Sequence, residues 1–213
     1  MHEPVSQADE FSRAIKEYAP RYGVQLTADD HLLLGEYYEQ VMAWNTRLHL
    51  IAPCSPVEFA TRHVLESLLA LAHLPEAAHV ADVGSGAGLP IIPCMIVCKG
   101  LRATLIESSP KKAVFLREAL RRLRAFDRAK VVSERFEKTH APAADFVTCR
   151  ALDRFTEMFP KLIEWSPQRS TLLLYGGEGL REQIEKAALV YKAVRIPESE
   201  RRFLFILKRS EHG

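Results

Sequence analysis

Asp82-Val83-Gly84-Ser85-Gly86-Ala87-Gly88-Leu89-Pro90 is the stretch on which the reading of this chain turns. The run Val80-Ala81-Asp82-Val83 opens directly into glycines at alternating positions. Glycine lets the backbone bend sharply and come within contact of a ligand, and a helix that follows offers unpaired N–H groups at its start. A strand, a glycine loop and a helix in succession predict a ligand resting against the loop, where the simpler alternative is a purely structural turn.

Outward from the loop, Val83 to Cys98 carries no charge, yet its glycines and prolines and its short length fall below the roughly 20 apolar residues of a membrane span. A strand, turn and helix account for it better. Downstream, short apolar runs alternate with helical segments: Ala103 to Glu107, Lys130 to Ser133, Asp145 to Cys149 and Thr171 to Tyr175. Continuous apolarity of this kind suits parallel strands covered on both faces. The intervening helices begin near Pro90, Pro110, Asp153 and Glu178. Val194 to Ile196 and Phe203 to Leu207 are too close together for a crossover helix, so they are expected to pair antiparallel. Such a Rossmann-like α/β sheet of seven strands, the last antiparallel, is similar to the class I methyltransferase fold.

Upstream of Val80 the pattern is helical. Leu34, Tyr37, Val41, Trp44 and Leu48 recur at three and four residues after a capping pair, Thr27 and Asp30. A shorter helix is expected over Ala8 to Tyr18, and another after Ser55-Pro56. The chain thus divides into a helical N-terminal extension, 1–76, and a sheet domain, 77–213.

Composition sets outer limits. Among 213 residues, 47% are hydrophobic and 26% charged, which excludes disordered, collagenous and coiled-coil chains. Lys and Arg number 29 against 27 Asp and Glu, a net of +2, so any surface for a polyanion is local. Cys54, Cys94, Cys98 and Cys149 form neither a C-x-x-C pair nor a disulfide framework, which predicts no metal and a reducing compartment. Cys94 and Cys98, four apart, are expected to pack on one helix face. Met1 to Phe11 is polar and acidic, unlike a secretory signal, so the expected location is cytoplasmic, without membrane association.

Two nucleotide readings of the loop compete. A dinucleotide site asks for G-x-G-x-x-G, but position 89 is Leu and Gly88 comes one place early. The spacing G-x-G-x-G after Asp82 resembles instead the S-adenosyl-L-methionine (SAM) loop, where Asp82 holds the amino acid part through a water or a backbone group. Glu107, ending the second strand, can accept both ribose hydroxyls, a use common to NAD and SAM folds.

The loop, with Pro93 following, Ser109-Pro110-Lys111-Lys112 and Phe115-Leu116-Arg117 resemble the RsmG (GidB) family of 16S ribosomal RNA guanine-N7 methyltransferases. So do Trp44-Asn45 with Leu50, Arg62-His63 with Glu66-Ser67-Leu68, Arg135-Phe136-Glu137, Arg150-Ala151, and Pro197 with Arg201-Arg202 and Lys208. The resemblance spans nearly the whole chain. It implies SAM as cofactor, contacted by Gly84, Leu89, Phe136, Glu137 and Arg150, with Asp82, Gly86, Gly88 and Glu107 completing the loop site. It implies a guanine of the 530 loop as substrate, in 16S rRNA or the small ribosomal subunit. His49 stands where the family usually has Asn, Glu66 where Asp is common, and Ile91 where Gly is usual.

Guanine N7 carries an exposed lone pair, so methylation there requires no base, and no catalytic residue is assigned. N7 and O6 cannot easily be reached inside an A-form helix, so the target lies in a loop or is flipped out. An Arg donating to O6 would select guanine over adenine, and Arg150 is a candidate. Lys111, Lys112, Arg117, Arg121, Arg122, Arg124, Arg128 and Lys130 form either a solvated helix face or an RNA-backbone surface. Arg62 and His63 are RNA candidates too, His63 against the alternative of a hydrogen-bonded core histidine. The rival functions are an NAD-dependent oxidoreductase, a non-catalytic ribosome-associated protein that retains the fold, and a small-molecule methyltransferase, since the sequence has no recognisable separate RNA-binding module.

Overall fold

The computed structural model describes residues 6–150 and 155–208. Its described strands form one seven-stranded sheet of order β3-β2-β1-β4-β5-β7-β6. The strands are β1 (His79–Val83), β2 (Arg102–Ile106), β3 (Ala129–Val132), β4 (Phe146–Arg150), β5 (Thr171–Gly176), β6 (Tyr191–Arg195) and β7 (Phe203–Lys208). β1 to β5 pair parallel, while β7 lies between β5 and β6 and runs against both. This is the class I SAM-dependent methyltransferase topology.

Alternation along each strand divides the core in two. Val80, Leu105, Leu173 and Leu204 face one side, with α5 (Ile91–Val97), α6 (Pro110–Arg122) and the N-terminal helices; Ala81, Val83, Val147, Leu172 and Leu174 face the other, with α7 (Phe155–Trp165) and α8 (Glu178–Lys186). Because both faces are covered, the central strands read as apolar runs rather than alternating ones. The edge strands β3 and β6 are only partly buried. Asp153, the expected start of the helix after β4, lies outside the described residues, as does Ala151.

Before β1 all described elements are helical. α1 (Gln7–Tyr18) begins at Ser6, and α2 (Ala28–Leu48) begins at a capping box in which Thr27 and Asp30 satisfy each other's backbone N–H groups. The expected third helix is not one α-helix. It starts as α3 (Pro56–Glu58), widens to a π-helix over Phe59–Leu65, returns to α in α4 (Glu66–Leu68) and tightens to a 3-10 turn over Leu69–His73. Its carbonyls at Arg62 and His63 accept from the guanidinium of Arg150, far away in sequence. The pair Cys94 and Cys98 also departs from expectation. Cys94 is buried in α5, but Cys98 caps that helix in an extended conformation and is only half-buried.

Candidate functional site

At the carboxyl ends of β1, β2 and β4 opens a cleft of about 650 Å³. Its size and position suit a nucleoside-sized ligand at the end of an open α/β sheet. The glycine loop forms one wall. Gly84, Gly86 and Gly88 have φ of 72°, 52° and 88°, in the left-handed region where a side chain is strained. Gly84 and Ser85 both donate their N–H groups to Ile106 O, at 2.9 and 3.2 Å. Behind the loop, the buried Tyr37 of α2 donates its hydroxyl to Ala87 O at 2.7 Å, so the helical extension holds the loop in place.

The predicted loop residues separate by role. Gly84, Gly86 and Leu89 line the cleft. Gly88 does not line the cleft, and a Cβ there would come within 2.3 Å of Ile92 Cδ1, so the close packing of α5 by itself requires glycine at this position. Asp82 is fully buried beneath the loop and does not line the cleft, so any part it has in holding a ligand is indirect, as the expected water or backbone link requires. Its Oδ1 accepts from Thr148 Oγ1 at 2.6 Å across the paired β1 and β4. Burial pushes the Asp82 carboxyl up to about 7, against the hydrogen bonds from Thr148 and Ser85.

Glu107 does face the cleft. Its Oε2 accepts from Gly86 N and its Oε1 from Ser109 N, each at 2.8 Å. Each carboxylate oxygen keeps a second lone pair for a ligand hydroxyl. Phe136 and Glu137 line the same cleft from the turn after β3. Phe136 is buried edge-on against Trp165, and Arg135 pairs with Glu137 at 3.0 Å.

Arg150 also lines the cleft, but its guanidinium turns into the widened helix. Nη1 donates to His63 O and Ser67 Oγ, and Nη2 to Arg62 O, while the buried Glu66 carboxylate lies 3.5 Å from Nη2. Glu66 also accepts from Arg202, just before β7. Motifs from three distant parts of the sequence therefore meet in one charged cluster beside the cleft. The Nη1 and Nη2 donors of Arg150 are thus engaged by the helix and Glu66, which turns that end of the guanidinium away from a base in the cleft.

The basic helix α6 divides as well. Lys112 lines the cleft, whereas Lys111 and Arg121 do not. Arg121 is exposed, pairs with Glu118 at 2.8 Å and lies over the Phe126 ring at 5.0 Å. Arg128 donates to the carbonyls of Met95, Cys98 and Leu101, and Arg117 to Val131 O, so those two arginines brace the fold. Arg121 and Arg122 border a second groove of about 410 Å³ with Gln40 and Trp44. Arg62 is exposed and pairs with Glu58, while its neighbour His63 lines the cleft.

Residues 50–52 form a wall that reading the sequence does not reveal. They are placed by Asn45, whose Oδ1 accepts from Ile51 N at 2.9 Å, and by the reversed backbone of His49. Ser108, Glu134 and Met158 are further lining residues that the motifs do not single out, and Ser109, from the Ser109-Pro110-Lys111-Lys112 motif, joins them. The available signal was positional, since the segments after strand ends are where such sheets bind ligands. Among the described residues no three His, Cys, Asp or Glu side chains converge as a metal site, and no helix is long and apolar enough to cross a membrane.

The same arrangement of sheet and helices occurs in known methyltransferases. The RNA methyltransferase from Salinibacter ruber, solved with S-adenosyl-L-homocysteine, superposes with a TM-score of 0.57 at 18% identity, covering 76% of this chain and 96% of that one. A SAM dependent methyltransferase from Aquifex aeolicus gives 0.57 at 15% identity, over 72% and 93%. Both share the fold. A ribosomal RNA small subunit methyltransferase G from Sorangium cellulosum is 34% identical over 175 residues, 79% of this chain and 73% of that protein. Its namesake from Xanthomonas campestris (strain B100) is 43% identical over 129 residues, and the match spans 60% of the length of each. The GidB family, described as rRNA small subunit methyltransferase G, matches over residues 30–204, and the chain belongs to that family.

Proposed function

We propose that this chain is a SAM-dependent methyltransferase acting on N7 of a guanine in the 530 loop of 16S rRNA, in the cytoplasm, with rRNA or the small ribosomal subunit as its partner. The observation that carries this reading is the meeting of Gly84, Gly86 and the Glu107 carboxylate at one strand-end cleft. The NAD reading loses support from the antiparallel β7 inside the sheet and from Leu89, where a dinucleotide loop has its third glycine.

The donor set fits SAM. Glu107 offers acceptors for ribose hydroxyls, Gly84 allows close backbone approach, and Leu89, Phe136 and Glu137 would flank the rest of the nucleoside. SAM, when bound, supplies an electrophilic methyl group on a sulfonium. Guanine N7 uses an exposed lone pair, so no side chain has to remove a proton before attack. The work of this chain is alignment and exclusion of water, for which rigid walls suffice. Tyr37 and Asn45 supply rigidity by fixing the glycine loop and the segment at residues 50–52.

The deciding experiment is transfer of labelled methyl from SAM to small ribosomal subunits from a deletion strain, followed by mapping of the modified nucleotide. Calorimetry is expected to show binding of SAM and its demethylated product, and none of NAD. Gly84→Val is expected to block that binding without unfolding the chain, and Glu107→Ala to weaken it by about 1–3 kcal/mol through lost charged hydrogen bonds. Binding of NAD without SAM, or unchanged SAM affinity in both variants, would remove the reading.

A further inference from the structure

We propose that His63 reads O6 of the target guanine through its Nε2–H, and that Arg150 is a positioning residue that fixes the imidazole tautomer needed for this. The inference rests on the guanine-N7 reading above and gives it a specificity element.

Arg150 Nη2 lies 3.5 Å from His63 Nδ1. A guanidinium has donors and no acceptor, so a proton on Nδ1 would set two N–H groups against each other. Nδ1 therefore presents its lone pair to Arg150, and the proton resides on Nε2. The ring plane is held by Phe59, at a centroid distance of 5.3 Å. The backbone is held too, since the carbonyls of Arg62 and His63 both accept from the same guanidinium. Nε2 makes no hydrogen bond among the described residues, and His63 is one of the residues that line the cleft.

The charge state suits the same role. Burial, then the cations of Arg150, Arg62 and Arg202, pull the imidazole down to about 3, so it is neutral at any working pH. The adjacent carboxylate, Glu66, is engaged by Arg150 and Arg202. Nε2–H is thus a permanent single donor. On the edge where guanine exposes N7, the neighbouring O6 is an acceptor, whereas adenine has its N6 amino group there. A donor at O6 welcomes guanine and opposes adenine. Because it is neutral, it adds no full positive charge beside a ring that becomes cationic as N7 is alkylated.

The test uses small subunits reconstituted with 16S rRNA carrying either guanosine or 2-aminopurine at the methylated position. 2-Aminopurine keeps N7 and lacks O6. Wild type is expected to prefer guanosine by about 10- to 100-fold in kcat/KM, as for loss of one buried hydrogen bond. His63→Leu should lose that preference by slowing on guanosine alone, and His63→Gln, whose amide can donate from a similar place, should restore most of it. SAM affinity, measured by calorimetry, should stay within about threefold in both variants, which separates this role from cofactor binding. Equal slowing of His63→Leu on both substrates, or no slowing on guanosine, would overturn the proposal. Wild type that binds SAM but methylates neither substrate would overturn the guanine-N7 reading, and this proposal with it.

Discussion

His49 closes α2 with φ 47° and ψ 54°, and its N–H bonds Asn45 O. The left-handed region favours Asn and Gly over most side chains, which accounts for the Asn usual in the family at this place. His49→Asn is expected to keep or slightly raise stability. His49→Val should lower the urea midpoint by the equivalent of about 1–2 kcal/mol, because a branched Cβ is poorly tolerated there. Position 88 shows why a glycine motif is only half legible: all three glycines read alike, but only the structure reveals that the third is required by packing against Ile92. His63 gives a pH signature. Its pKa falls from 6.5 unfolded to about 3 folded, so between those values the unfolded chain holds a proton that the folded chain lacks, and stability from this group rises with pH. Asp82, lifted from 3.8 to about 7, has the opposite slope. Subtracting His63→Gln from wild type isolates the histidine: stability at pH 7 minus stability at pH 4.5 should be more positive in wild type than in the variant, whatever the sign of the common Asp82 contribution. Equal slopes would show that His63 titrates normally.

Helices and strands were legible where a local pattern decides them. Central strands are buried on both faces and so appear as apolar runs, and the start of α2 is set by a capping box contained within four residues. The third helix was not legible as it stands, because its π-helical stretch accepts from Arg150, whose approach no local periodicity announces. Cleft residues were legible at β-strand ends and in the glycine loop, but not at residues 50–52, which depend on a side-chain cap from Asn45. The element most exposed to a single change is the junction of this helix with β4 and β7. Glu66 is buried between Arg150 and Arg202, with burial pushing its pKa up against the pull of both cations. Glu66→Gln leaves two guanidinium charges without their carboxylate and should cost about 3–5 kcal/mol in urea unfolding, the usual consequence of breaking a buried ion pair from one side. Glu66→Asp, the residue common in the family, should cost less, since the charge remains. Equal losses in the two variants would mean that side-chain length, not charge, is what the cluster needs.

At the scale of the whole molecule, a net charge of +2 hides an uneven distribution, and the structure sorts the basic side chains by what they touch. Arg117 and Arg128 are engaged with backbone carbonyls, and Arg150 and Arg202 with Glu66, so each of these has a structural partner within the fold. Lys112 lines the cleft, so its charge acts on a ligand there as well as on any RNA along α6. Lys111, Arg121 and Arg122 stay exposed on the outer side of the same helix. Arg121 shares its charge with Glu118, so it should contribute less than the other two. Reversing Lys111 and Arg122 together, with Lys112 left in place, should therefore weaken RNA binding while SAM affinity holds. Every phosphate that is no longer neutralised should reduce the log-log salt slope by roughly 0.7 on single-stranded RNA, so removal of both cations should flatten it by about 1–1.5. Lys112→Glu alone should instead lower SAM affinity and leave that slope less changed. The measurement is RNA affinity at four or more salt concentrations, beside calorimetry with SAM, for wild type and both variants. An unaltered slope in the Lys111 and Arg122 variant would mark the outer face of α6 as solvated surface. The phosphate-binding surface would then lie at the mouth of the cleft, near the exposed Arg62.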